Sequence, residues 1–140
     1  YRSWKSDLTS DYTMLESGLG RWVKTDKDNF IGRTALLTEE QRGASRRFVA
    51  MVVNDPTDGE PFGEAVYLSS IRSQNKDVGL VVSAGYGHRV EKSIAYGIVD
   101  ETAFANGNPH LEVEILGRMR QAHIVDNAVL YDPDNSRLRA

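Results

Sequence analysis

The stretch Ser83-Ala-Gly-Tyr-Gly-His-Arg-Val-Glu-Lys-Ser-Ile-Ala-Tyr-Gly-Ile-Val99 decides how this chain is read. It sets a polar, glycine-hinged segment between two apolar runs, Val78–Val82 and Ile94–Val99. Two strand-like runs joined through Gly85 and Gly87 predict a chain reversal between neighbouring strands. Upstream, the apolar run Phe48–Val53 stops at Asn54-Asp55-Pro56, and Asp58–Gly63 forms a second turn cluster. A strand is expected next over Ala65, Val66, Tyr67 and Leu68, and a third over Asp77–Val82. Ile94–Val99 supplies the fourth, and Asn106-Gly107-Asn108-Pro109 marks another turn. Downstream, Leu111, Val113 and Ile115 alternate with Glu112 and Glu114, the period of a half-buried strand. After Gly117, Met119, Gln121, His123 and Val125 share a face, so Leu111–Val125 reads as a hairpin turning near Gly117. Six short strands punctuated by glycine and proline predict a mainly β fold, a small six-stranded antiparallel barrel or jelly-roll-like domain.

The residues before those strands have another character. Tyr1, Trp4, Tyr12, Trp22 and Phe30 carry much of the apolar surface of the first thirty residues, a pattern of rings leaning on a larger body. Gly18 and Gly20 limit any helix around Met14–Val23 to a short one or an irregular packed turn. Arg33–Arg42 is predicted to be helical, with Gly43 as its terminating residue. The chain therefore divides into an aromatic linker segment with one short helix, 1–44, and a β-barrel domain with a polar tail, 45–140. The tail from Tyr131 to Ala140 is polar, rich in turn residues and expected to be extended.

Composition narrows the class of function. A chain of 140 residues can form one domain with a core of its own, and 40% hydrophobic with 26% charged residues is ordinary for a soluble globular protein. The net charge of −3 and pI near 5.6 give no global field that would recruit nucleic acid or anionic lipid. No cysteine is present, so disulfides and thiolate chemistry are excluded. No apolar run approaches the ~18 residues of a membrane span. His88, His110 and His123 lie in separate segments without the spacing of a zinc site. No strand–glycine–serine–glycine elbow accompanies His88. The Gly85/Gly87 pair is followed by a strand rather than a helix with a third glycine, so it is not a dinucleotide fingerprint.

Four segments in order carry a resemblance. Asp7–Leu37 (DLTSDYTMLESGLGRWVKTDKDNFIGRTALL), Asn54–Tyr67 (NDPTDGEPFGEAVY), Val78–Val99 (VGLVVSAGYGHRVEKSIAYGIV) and His110–Pro133 (HLEVEILGRMRQAHIVDNAVLYDP) together resemble the C-terminal domain of the glycine-cleavage T-protein (aminomethyltransferase) family. The likeness is to the form fused to FAD-dependent dimethylglycine and sarcosine dehydrogenases. Met14 stands where the family commonly has proline, and Ala84 and Glu91 stand where it often has glycine. Such enzymes pass a one-carbon unit from an amine to tetrahydrofolate. The resemblance implies that the catalytic aspartate and the folate-binding body lie upstream of residue 1, with any FAD domain further upstream. It assigns no catalytic residue to this chain. It implies a cytoplasmic bacterial enzyme or one of the mitochondrial matrix.

The candidate site is the glycine segment. Arg89, Lys92 and His88, beside exposed backbone N–H groups, suit an anion such as a carboxylate tail; the competing reading is a solvated loop. Under the resemblance, Tyr86, His88 and Arg89 form one rim of a folate channel, and no metal is expected. Trp4, Tyr12 and Trp22 could stack on a pterin or pack against the upstream body. Asp7, Asp11 and Glu16 are read as turn and helix caps rather than paired catalytic acids. The alternative function is a non-catalytic interaction barrel that exposes Trp4, Trp22 and Leu19 and self-associates to hide them.

Overall fold

Arg46–Val53 is apolar from Phe48 onward without alternation, the pattern of a strand covered on both faces. In the computed structural model, which describes residues 2–54, 63–125, 130–134 and 136–137, this run is the first strand, β1. The others are β2 (Ser70–Ser73), β3 (Lys76–Gly87), β4 (Lys92–Asp100), β5 (Leu111–Ile115) and β6 (Arg118–Ile124). They close into an antiparallel barrel in the order β1-β4-β3-β2-β5-β6, with β6 pairing back to β1. Three hairpin-connected strands, β2 to β4, with β1 returning beside β4 make a Greek key. Closure removes most of the strand edges, and on the stretch of β1 before Met51, which β6 does not pair, the Phe48 N–H turns to the Glu16 carbonyl instead.

Val49, Met51 and Val53 of β1 point into the barrel with Ile71, Val81, Ala95, Val99, Leu111, Val113, Ile115 and Ala122. The interior is narrow, and glycine makes room where the strands crowd it. A Cβ on Gly97 would stand 2.3 Å from Ile71 Cδ1. Two hairpins close with residues of positive φ, Gln74-Asn75 between β2 and β3 and Leu116-Gly117 between β5 and β6. That is the signature of the type I′ turn, whose twist matches the strands it joins.

Ala50, Val52 and Ile98 lie outside the core cluster yet are nearly as buried as its members. Part of this outer wall is covered by the segment before the barrel. Arg2 lays its guanidinium 3.7 Å from the Phe48 ring, and the Phe48 N–H donates to the Glu16 carbonyl at 2.9 Å. The covering segment is locally folded. Thr13 Oγ1 accepts the Glu16 N–H and Glu16 Oε2 accepts the Thr13 N–H, each at 3.1 Å, a reciprocal capping box. The single helical turn ends when Gly18, at φ 65°, and Leu19 donate back to the Leu15 and Met14 carbonyls, a Schellman stop. Asp7 accepts the Ser3 N–H at 2.5 Å, so Asp7 and Glu16 serve as caps, whereas Asp11 accepts the Thr9 hydroxyl and its own N–H goes to that threonine.

The helix α1, Arg33–Arg42, has the predicted bounds and ends at Gly43 with φ 83°. Arg33 Nε donates to the Thr25 carbonyl at 3.0 Å, a local tie. The second strand departs from expectation. Ala65–Leu68 is not a strand: the Ser69 N–H turns back to the Val66 carbonyl and Leu68 takes φ 69°, so although Leu68 and Ser69 already bond to Val81, the regular ladder starts at Ser70. The third strand also departs. It runs past Val82 to Gly87, with a bulge between Val81 and Ser83 and Gly85 and Gly87 paired to Ile94 and Lys92. The glycines are ladder residues, not the hinge, because β4 supplies partners along their whole length. The reversal falls on 88–91, where Glu91 takes φ 52°. The described part of the tail is not extended either: Asp132 accepts the N–H groups of Ser136 and Arg137 at 2.9 Å and closes a turn. The turn signals at Asp55–Phe62 lie outside the described residues, as do 126–129, Asn135 and 138–140.

Candidate functional site

The pairing of β3 with β4 puts Ser83, Gly85 and Gly87 on one face with Tyr96, Ile94 and Lys92. Small residues on one strand and larger ones on the next leave a shallow hollow of about 240 Å³ lined by Ser83–Gly87, Ile94 and Tyr96. Nothing lies within 4 Å of where a Gly85 Cβ would be, so this part of the wall is open.

At the end of β3 the Tyr86 N–H donates to Glu64 Oε1 at 2.7 Å, fixing the strand end against the segment before β2. The Tyr86 ring meets the His88 ring edge-on, with centroids 5.1 Å apart. Arg89 points to a different neighbour. Its guanidinium carbon is 5.9 Å from the centre of the Tyr131 ring, and that of Arg137 is 5.7 Å from it. Arg137 Nη1 donates to the Tyr131 hydroxyl at 3.4 Å. That hydrogen bond and a second from Arg89 hold the exposed phenol below its ordinary pKa, because both favour the phenolate. The sequence-predicted trio thus divides into a ring pair, Tyr86 with His88, and a cation, Arg89, joined to the tail.

Glu64 and Tyr131 were not singled out from the sequence. Their roles depend on contacts spanning 22 residues in one case and on the return of the tail to the β3–β4 turn in the other. A second outer hollow of about 240 Å³ lies between Tyr12 of the arm and Arg46, Asp77, Gly79, Leu80, Ile98 and Asp100. Its walls hold the Arg46–Asp100 pair at 3.9 Å. Among the described residues no three His, Asp or Glu side chains gather as a metal site. No helix among them is long and apolar enough to cross a membrane.

Trp4 and Trp22 on the arm stand 78% and 69% exposed. Each carries a cation beside its ring, Lys5 at 5.4 Å and Arg21 at 5.0 Å. Ile31 is fully exposed ahead of α1, while Leu19 is partly covered.

Comparison with known proteins identifies what this barrel is. Residues 46–132 match the model of the glycine cleavage T-protein C-terminal barrel domain. The chain is 34% identical over 141 residues to mouse mitochondrial dimethylglycine dehydrogenase, a match covering 99% of this chain and 16% of that protein. It is 31% identical over 120 residues to an aminomethyltransferase of Desulfitobacterium hafniense, covering 86% of this chain and 31% of that enzyme. The chain therefore spans from about a sixth to about a third of the length of these relatives. The glycine cleavage system aminomethyltransferase T of Bartonella henselae shares the fold, with a TM-score of 0.70 at 22% identity over 88% of this chain and 33% of that one. With a family match across its whole barrel, this chain belongs to the glycine cleavage T-protein C-terminal barrel domain family.

Proposed function

We propose that this chain serves as the C-terminal barrel of a tetrahydrofolate-dependent one-carbon transfer enzyme. The parent is either an aminomethyltransferase or an N-methyl amine dehydrogenase of the dimethylglycine and sarcosine type, in which FAD is held by a separate, preceding domain. The observation that carries the reading is a match running through the arm as well as the barrel, 99% of the chain against dimethylglycine dehydrogenase. A barrel borrowed for an unrelated purpose would have no reason to keep the arm that precedes it.

The chain's own part is binding and support. The hollow is too small for a whole folate, but it offers a surface of backbone and the Tyr86 and Tyr96 rings, in keeping with one rim of a channel. Tyr86 and His88 present a ring pair to a flat heterocycle or its linker, and Arg89 presents a guanidinium to a carboxylate. When bound, tetrahydrofolate accepts the one-carbon unit; the chemistry belongs to the preceding folate-binding body. The exposed faces of Trp4, Trp22 and Ile31 supply apolar surface by which that body would hold the barrel.

The test is a calorimetric titration of 5-formyl-tetrahydrofolate into this chain. Saturable binding in the micromolar to low millimolar range, weakened severalfold in Arg89→Ala and His88→Ala, is expected. Binding unchanged in both variants, or no heat at millimolar ligand, would remove Tyr86, His88 and Arg89 from the folate rim and leave the barrel as a supporting domain.

A further inference from the structure

We propose that the arm, Arg2–Gly20, is a strap that opens from the barrel as one unit while the barrel stays folded, and that Thr13, Glu16 and Ser45 are its latch. Three observations carry this. The barrel closes through its own six strands, and among the described residues the Phe48 N–H is the one strand amide that turns to the arm, so the ladder itself does not depend on it. The arm holds its own shape through the capping box, the Schellman stop and the Ser3–Leu8 loop around Asp7. The polar ties from arm to body converge on one turn. The Thr13 hydroxyl donates to Glu39 of α1 at 2.6 Å, the Ser45 hydroxyl donates to Glu16 at 2.7 Å, and the Phe48 N–H donates to the Glu16 carbonyl. Glu16 and Glu39 are both buried, so each carboxylate needs the hydroxyl it has. A latch in which a single turn holds both α1 and the start of β1 opens both contacts when that turn moves. In a longer polypeptide it decides whether the barrel sits rigidly on the preceding chain or hangs from a tether.

The charges around the latch make it acid-sensitive. Burial alone would raise the Glu16 carboxyl. Hydrogen bonds from Ser45 and the Thr13 N–H, with Arg46 of β1 and Arg42 of α1 nearby, hold it below its ordinary value of 4.5. Glu39 faces the same Thr13 from α1, and Arg2 donates to the adjacent Ser17 carbonyl. A carboxyl depressed in the closed state contributes in full above pH 4.5, and that contribution drains away as the pH falls through its closed-state pKa.

Native-state hydrogen exchange of this chain tests the strap. Thr13→Val removes the hydroxyl with little change of shape, and Glu16→Gln removes the charge. The Ser17, Gly18 and Leu19 amides and the Phe48 amide should exchange about tenfold to a hundredfold faster in Thr13→Val, while the Ala95 and Gly97 amides of β4 keep their protection. In the wild type the same group should open as the pH falls below 4.5, and Glu16→Gln should flatten that dependence. Acceleration of arm and β4 amides by one common factor would show a single cooperative unit and overturn the proposal. So would arm amides indifferent to both the substitutions and pH.

Discussion

Three glycines on the β3–β4 wall differ in what an added methyl group would meet, and this ranks their alanine variants. At Gly79 a Cβ would lie 2.2 Å from the Ile98 carbonyl oxygen and 2.9 Å from Val99 Cα, both backbone atoms of the paired strand. No rotamer change relieves that contact. The strands must part by about 1 Å at the Gly79–Val99 pair, which stretches ladder hydrogen bonds beyond useful length. Leaving two buried backbone groups without good partners costs about 3–5 kcal/mol. At Gly97 the obstacle is Ile71 Cδ1 at 2.3 Å, the end of a side chain, which must move about 1.2 Å to reach ordinary contact. Ile71 is fully buried, so its displacement costs about 1–3 kcal/mol, offset by about 0.5–1 kcal/mol because glycine is a poor strand residue. At Gly85 nothing lies within 4 Å. For a chain of this size 1 kcal/mol corresponds to about 3 °C in Tm. Thermal melts followed by circular dichroism should then show Gly79→Ala down by about 10–15 °C, Gly97→Ala by about 2–6 °C, and Gly85→Ala within about 2 °C of the wild type. A Gly79→Ala melt within about 3 °C of the wild type, or a Gly85→Ala loss exceeding that of Gly79→Ala, would refute the argument that backbone approach sets the cost.

Two further substitutions test local backbone claims. Glu91 holds φ 52° in the β3–β4 turn, a conformation that costs an L-residue about 1–2 kcal/mol, so Glu91→Gly should leave Tm unchanged or raise it by up to about 3 °C; a drop of more than about 2 °C would mean the side chain stabilises the turn. Gly18 ends the arm's helical turn at φ 65°, and its Cβ would meet Arg2 Nη2 at 3.3 Å, so Gly18→Ala should lose about 1–2 kcal/mol in protection of the arm amides, measured by hydrogen exchange, with barrel amides unaffected.

Some elements announce themselves in the sequence because one local rule suffices. Arg33–Arg42 is bounded by Gly43, and the helix ends there. Leu111–Ile115 alternates strictly, and the alternating residues are the buried ones. The hairpin at Leu116-Gly117 is legible from its glycine, whereas the one at Gln74-Asn75 is not, because neither residue breaks a pattern. The misread elements needed knowledge of a partner strand. Gly85 and Gly87 look like a hinge until Ile94 and Lys92 are opposite them, and Ala65–Leu68 looks like a strand until the chain is seen to turn at Leu68.

The same division runs through the candidate site. Residue type and a place beside glycines mark Tyr86, His88 and Arg89 in the sequence, and the structure brings two of them into ring contact. It takes Arg89 to Tyr131 and ties Tyr86 to Glu64, and neither partner carries a local signal, because both contacts depend on where the barrel closes. The sequence by itself determined the β-rich class, the helix at Arg33–Arg42, the hairpin at Leu111–Ile124 and the family to which the barrel belongs, since these rest on short-range patterning and on motifs in order. Only the tertiary structure decided that the outer wall of β1 is covered, that Glu16 and Glu39 share one threonine, and that a side chain at position 79 would meet the backbone of β4. Those are statements about distances between residues far apart in the chain, and no one-dimensional pattern carries them.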